Sequence, residues 1–231
     1  MKLYDECFEG TAGIIEKYPV KRLELKQGTA KKSEKNKIVF QSDTAYELGA
    51  GNMAALSSVA FTDNCDYVSG DEILLIGRDL ADIKGNSPFA RIALIRVNEA
   101  EMGTGEKLYQ TIRKIEYARY HINIDGYMMR ISAFTHREAA RVSKDAVKSG
   151  LSFADVGSAF IEEYKKQPQV EAVKLLFVTD PDFPYDTLEE IMKKSESITT
   201  ALDHIMKDIK MDCQTCSLKT VCDEVEALCK S

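Results

Sequence analysis

"DEILLIGRDLADIKGNSPFARIALIRVN", residues 71–98, holds two apolar runs rich in β-branched residues, parted by the turn-forming "KGNSP". Runs of this length flanked by Gly, Asn and Pro read as buried sheet strands, over 73–83 and 89–97. A third run of the same kind, "VEAVKLLFVTD", gives a strand over 171–179. Between and around them the apolar period changes to that of helices. Phe153, Val156, Phe160, Ile161 and Tyr164 recur at helical spacing after Ser152, which can cap the helix, and Pro168 follows its end. Leu188, Ile191, Met192, Ile198, Leu202, Ile205, Met206 and Ile209 line a second, longer stripe, with Asp186 and Glu189 spaced as a capping pair. The expected fold class is therefore α+β: a mixed sheet flanked by helices, with a C-terminal helix leading into a four-cysteine metal site.

The remaining segments fill in around that frame. "GTAGIIEKY" reads as a short helix stopped before Pro19, "KRLELK" as a strand, "QGTAKKSEKNK" as a surface loop or hairpin tip and "KIVF" as a short strand. "KLYQTIRKIEYARYHINIDGYMMRIS" reads as helix through Arg113 and Arg119, with a turn at Asp125-Gly126. "RVSKDAVKSG" reads as a helix closed by Gly150. No internal repeat is present.

At 231 residues, 44% apolar and 29% charged, the chain has an ordinary globular balance and enough length for a sizeable core. No apolar run approaches bilayer length and the N-terminus lacks the apolar core of a signal peptide, so a cytoplasmic protein without membrane insertion is expected. The net charge of −6 argues against general nucleic-acid binding. Charge is unevenly distributed, however. Residues 91–141 carry a net +3 and hold seven of the nine arginines, against −9 for the remainder. The planar guanidinium fork suits carboxylate and phosphate, so Arg113, Arg119, Arg130, Arg137 and Arg141 read either as an anion site or as a solvated face of local ion pairs with Glu116, Asp125 and Glu138.

The strongest chemical signal is at the end: "MDCQTCSLKTVCDEVEALCKS" places Cys213, Cys216, Cys222 and Cys229 in a C-x2-C-x5-C-x6-C pattern. In a reducing compartment such a group binds metal in preference to forming disulfides. Four thiolates serve an iron–sulfur cluster or a zinc ion, with unliganded thiols as the remaining reading. If 222–229 is one helix, Cys222 and Cys229 share a face about 10 Å apart along its axis. Zinc, with Zn–S near 2.3 Å, would then need the helix to break, whereas a larger cluster needs less bending. Elsewhere the signals are plain. "GTGEK" at 103–107 reads as a loop, Cys65 as an idle thiol and His136 as a polar surface group, and His121, His136 and His204 have no metal-ligand spacing.

"AYELGAGNMAA", "ILLIGRDLADI", "HINIDGYMM", "RVSKDAVKSGLSFADVGSAFIEEYKKQ" and "VKLLFVTD", followed by the terminal cysteines, resemble acetyl-CoA synthase, the β subunit of the CO dehydrogenase/acetyl-CoA synthase complex, over roughly residues 45–231. The resemblance implies an N-terminal helix and hairpin extension at 1–44, a middle domain at 45–210 and a cluster-binding tail at 211–231. It implies that Cys213, Cys216, Cys222 and Cys229, in order, hold a [4Fe-4S] cluster, although the loops between the last three are shorter than in the family. It also implies that the arginine window meets coenzyme A. The family's Cys-Gly-Cys for a distal nickel is absent here, so nickel is doubtful, and its tryptophan has no counterpart, Tyr127 offering the nearest aromatic face. The expected role is an electron-transfer or docking component of one-carbon, corrinoid or acetyl-CoA metabolism, with a corrinoid protein, a methyltransferase or a CO dehydrogenase subunit as partner. The alternatives are an acyltransferase subunit completed by another chain and a zinc-stapled interaction module.

Overall fold

A computed structural model describes residues 2–28, 39, 45–132, 136–207 and 215–230. Its centre is a five-stranded mixed sheet in the order β1-β4-β8-β5-β3, built from Val20–Leu23 (β1), Glu72–Ile76 (β4), Val170–Val178 (β8), Phe89–Val97 (β5) and Ala55–Thr62 (β3). β8 is parallel to β4 and antiparallel to β5, while β3 runs parallel to β5 and β1 antiparallel to β4. All three apolar runs read from the sequence are thus strands, and they lie side by side. β4, β8 and β5 are buried almost throughout, as expected for strands covered on both faces. The fold is α+β, with β1 from the first 44 residues forming one edge of the main sheet.

The first strand run ends earlier than its apolar character implies. β4 stops at Ile76 because Gly77 adopts φ +103° and a Cβ there would sit 2.5 Å from the Asp180 backbone nitrogen. The chain then makes a single 3-10 turn at Leu80–Asp82, capped by Asp79, whose Oδ1 accepts from the backbone N–H groups of Leu80 (2.6 Å) and Phe153 (2.8 Å). One carboxylate therefore ties this loop to the start of the helix Phe153–Tyr164, labelled α5 below.

Among the described residues the helices are Asp5–Ile15 (α1), Glu99–Met102 (α2), Gly105–Ala118 (α3), Lys144–Lys148 (α4), Phe153–Tyr164 (α5), Tyr185–Met206 (α6) and Lys219–Lys230 (α7). Ser152 caps α5 in a capping box with Asp155. The helix packs on β4 and β8 so closely that a Cβ at Gly157 would lie 2.8 Å from Ile73. α6 covers β3, and α1, α3 and α7 pack against α6. Its stripe is buried at Leu188, Met192, Ile198 and Leu202, whereas Ile209 lies outside the described residues. Asp186 and Glu189 form no cap: α6 starts at Tyr185 after Pro184, with no side-chain cap, and Asp186 instead favours the helix N-terminus by its charge.

A second, antiparallel sheet, β2-β7-β6, comprises Ala45–Leu48, Glu138–Ser143 and Tyr127–Ile131. "RVSKDAVKSG" therefore divides: Arg141–Ser143 complete β7, and only Lys144–Lys148 is helical before Gly150, at φ +99°. The two sheets meet where Leu56 of β3 bridges Arg137, and where the Ser57 N–H donates to the His136 carbonyl at 2.8 Å. "KIVF" falls outside the described residues except for Val39, which is buried, and most of "QGTAKKSEKNK" also falls outside them.

Candidate functional site

The small sheet and the loop after β2 enclose a cleft of about 510 Å³, lined by residues 49–53 and, across from them, by Arg130, Ser132, Arg137 and Glu138. The loop can turn there because Gly49 (φ +76°) and Gly51 (φ +64°) adopt left-handed backbone. Gly49 admits no side chain, since a Cβ would come within 2.6 Å of Ala55. Its N–H donates to the Ser87 carbonyl at 2.7 Å, which anchors the loop beside β5. Arg130 is held from behind by Glu47, only 4% exposed, whose two oxygens accept from Arg141 Nε (2.6 Å) and Arg130 Nη1 (2.7 Å). Arg141 also donates to the Val39 carbonyl at 3.0 Å. One carboxylate thus serves two guanidinium groups and leaves the pair a net positive charge. Arg137 is exposed and has no ion-pair partner among the described residues; its charge helps hold the Glu189 carboxyl below the usual range, together with the nearer Lys193 and against partial burial.

The other two arginines in the anion reading point elsewhere. Arg119 is 6% exposed, with Nη2 donating to Tyr120 Oη at 2.6 Å and Nη1 reaching Ser57 Oγ at 3.4 Å. Arg113 pairs with Glu116 at 3.1 Å and lies over the Tyr117 ring at 5.0 Å. Burial raises the Glu116 carboxyl above its ordinary range despite Arg113 and a 2.8 Å hydrogen bond from Thr199. The five arginines therefore separate: Arg130 and Arg137 line the cleft, Arg141 lies buried behind them on Glu47, and Arg113 and Arg119 are on and just beyond α3. Glu138 pairs with the fully buried Arg91.

Two single residues differ from their sequence reading. His136 is buried, not a surface group: its ring lies between Glu189, at 3.4 Å, and Glu196 of α6, and so ties the start of β7 to that helix. No local pattern announces this, because both carboxylates come from more than fifty residues away. Tyr127 offers no aromatic face, being 8% exposed with its hydroxyl inside. Burial, reinforced by Glu138, pushes that hydroxyl far above its ordinary pKa. Among the described residues, the exposed aromatic of the arginine window is Tyr117, at 49%.

Cys216 is partly exposed in the turn that enters α7, and its carbonyl accepts from the Lys219 N–H at 3.2 Å. Cys222 sits in the first turn of α7 and packs against the core beside Val221. Cys229 lies on the same helix, and Cys213 lies outside the described residues. Four thiols suit a cluster or zinc in kind. Their backbone is less accommodating, since Cys222 and Cys229 are seven positions apart on one helix, about 10 Å along its axis, and among the described residues no three potential ligands are gathered at one point. Cys65 is exposed, whereas Cys7 is buried, which pushes its thiol up to about 11.

Residues 28–183 match the model of the CO dehydrogenase/acetyl-CoA synthase complex beta subunit family. The chain belongs to this family. The match covers β2 through β8, and with them the cleft and all seven clustered arginines, while α6 and the four terminal cysteines lie beyond the matched residues. The family's members are, by description, subunits of a larger complex. No curated protein matches the chain.

Proposed function

We propose that the chain is an iron–sulfur component of a complex of the CO dehydrogenase/acetyl-CoA synthase type, acting in the cytoplasm in electron transfer or docking. Cys213, Cys216, Cys222 and Cys229 hold a [4Fe-4S] cluster. The observation that carries this reading is four thiols within seventeen residues in a member of that beta-subunit family. Such a cluster supplies one-electron chemistry when bound. The protein's own part is to attach the thiols to a helix packed on α6 and α3. Partners of matching chemistry are a corrinoid protein, a methyltransferase or a CO dehydrogenase subunit.

Metal and acid-labile sulfide analysis of protein purified without oxygen tests this directly. About four iron and four sulfide per chain are expected, with Cys216→Ser losing most of both and Cys65→Ser keeping them. One zinc and no iron would overturn the cluster in favour of a zinc-stapled module.

The cleft supports a companion reading as a binding site for coenzyme A or another anionic partner. It rests on Arg137, exposed and without an ion-pair partner among the described residues, beside the net positive Arg130–Glu47–Arg141 group. Charge-assisted hydrogen bonds from these forks would meet phosphate, more weakly as salt screens them. Calorimetry should show coenzyme A binding that weakens from low to high salt and falls about ten-fold in Arg137→Ala. Arg113→Ala, on α3, should bind as the parent does. No heat at millimolar ligand would defeat this reading and leave the cluster reading standing.

A further inference from the structure

Apart from the cleft, a small polar crevice lies between β3, α3 and α6. It measures about 20 Å³, and Ser57, Glu116, Arg119, His136, Glu196 and Thr199 line it. Arg119 is buried, and among the described residues it forms no ion pair; its Nη2 donates to Tyr120 and its Nε–H meets no acceptor. Ser57 Oγ already accepts from Arg91 Nη2 at 2.6 Å and from Arg119 Nη1 at 3.4 Å, so its own hydrogen must point elsewhere. Acceptors line the same crevice. Glu116 Oε1 takes the Thr199 hydroxyl at 2.8 Å and Oε2 takes Arg113 at 3.1 Å, which leaves each oxygen a further lone pair. Burial raises the Glu116 carboxyl, and Arg119 is near enough to act against that, with Thr199 and Arg113.

We infer that this crevice is a binding site for one water, which accepts from Arg119 Nε and donates to the Glu116 carboxyl, joining a buried guanidinium to a carboxyl it does not touch. A buried donor left without an acceptor costs more than a made hydrogen bond gains, so the site favours an occupant. Charge selects which. The carboxyls of Glu116 and Glu196 repel an anion and the guanidinium repels a cation, whereas water both donates and accepts. Size agrees, since a water needs roughly 10–15 Å³ and nothing much larger fits. The position gives the water a role. α6 lies along β3, an edge strand of the main sheet, and Ser195 Oγ donates there to the Val59 carbonyl at 2.7 Å. The water sits in that seam and ties the end of α3 into it.

A crystal structure of the full chain that resolves ordered solvent tests this, for the parent and for Arg119→Met, which keeps most of the stem and removes every donor. The parent should show one water within hydrogen-bond distance of both Arg119 Nε and a Glu116 oxygen, and the variant should lose it. Soaking the parent crystals in bromide should leave no anomalous signal at this position. A bromide peak there would make the crevice an anion site and overturn the assignment, as would a dry crevice in the parent or a water that stays in Arg119→Met. Should Arg119→Met not fold, the parent with and without bromide decides alone.

Discussion

Glu138→Ala is expected to lower the unfolding free energy by about 3–5 kcal/mol, because it strands a charge in the core. Arg91 is 0% exposed and donates from Nε and Nη2 to the two Glu138 oxygens at 2.9 and 2.8 Å. Burial alone would pull the Arg91 pKa down, but Glu138 outweighs it and holds the guanidinium charged. After the substitution its support is reduced to Ser57 Oγ at 2.6 Å and the Phe160 ring at 4.4 Å, with Nη1 already lacking a protein partner. The loss corresponds to a fall in Tm on the order of 10 °C for a chain of this size. Urea unfolding with an unchanged slope would report it. The double variant Arg91→Met with Glu138→Leu removes both charges and should recover most of the loss. A single-variant cost below about 1 kcal/mol would show that water reaches Arg91.

Phe177→Ala should cost a similar amount, about 3–5 kcal/mol, by a different route. Phe177 is 0% exposed on β8 and stacks on Phe153 at 4.6 Å and on Phe89 at 6.3 Å, with Phe160 edge-on at 6.5 Å. Its neighbours come from β5 and α5, so the cavity lies between the sheet and a helix already pressed against β4. Neither wall can close in without breaking the other's contacts, so the void persists. Phe177→Leu should cost less than half as much in the same urea titration. Equal losses for the two would point to the ring's stacking geometry, and not cavity volume, as the source.

The main sheet was legible because its central strands are apolar on both faces, and such runs depend little on partners. The capping box of α5 was equally plain, being contained in Ser152 to Asp155. The small sheet was obscured by the charges it buries. Arg141 read as the start of a helix and Glu138 as an ion-pair partner on a solvated face, yet both are inside, paired with Glu47 and Arg91 from distant strands. His136 was misplaced for the same reason: its carboxylates lie on α6. For the candidate site, the sequence marked out the arginines but not Glu47, which pairs with two of them. It could not divide the arginines, since Arg119 and Arg137 are equally polar as letters and differ only in what surrounds them.

The placement of β8 has a consequence for how the protein is made. β4 and β5 are neighbours in sequence but not in space, because β8, synthesised some eighty residues later, lies between them and supplies the pairing of both. Until residue 178 has left the ribosome, β1–β4 and β3–β5 are two separate ribbons, each with an open, apolar edge. Synthesis at roughly 5–20 residues per second leaves those edges exposed for several seconds. The nascent chain is then at its most prone to pair with the wrong strand. Slowing translation between β5 and β8 should therefore lower soluble yield, whereas slowing it after residue 178 should not.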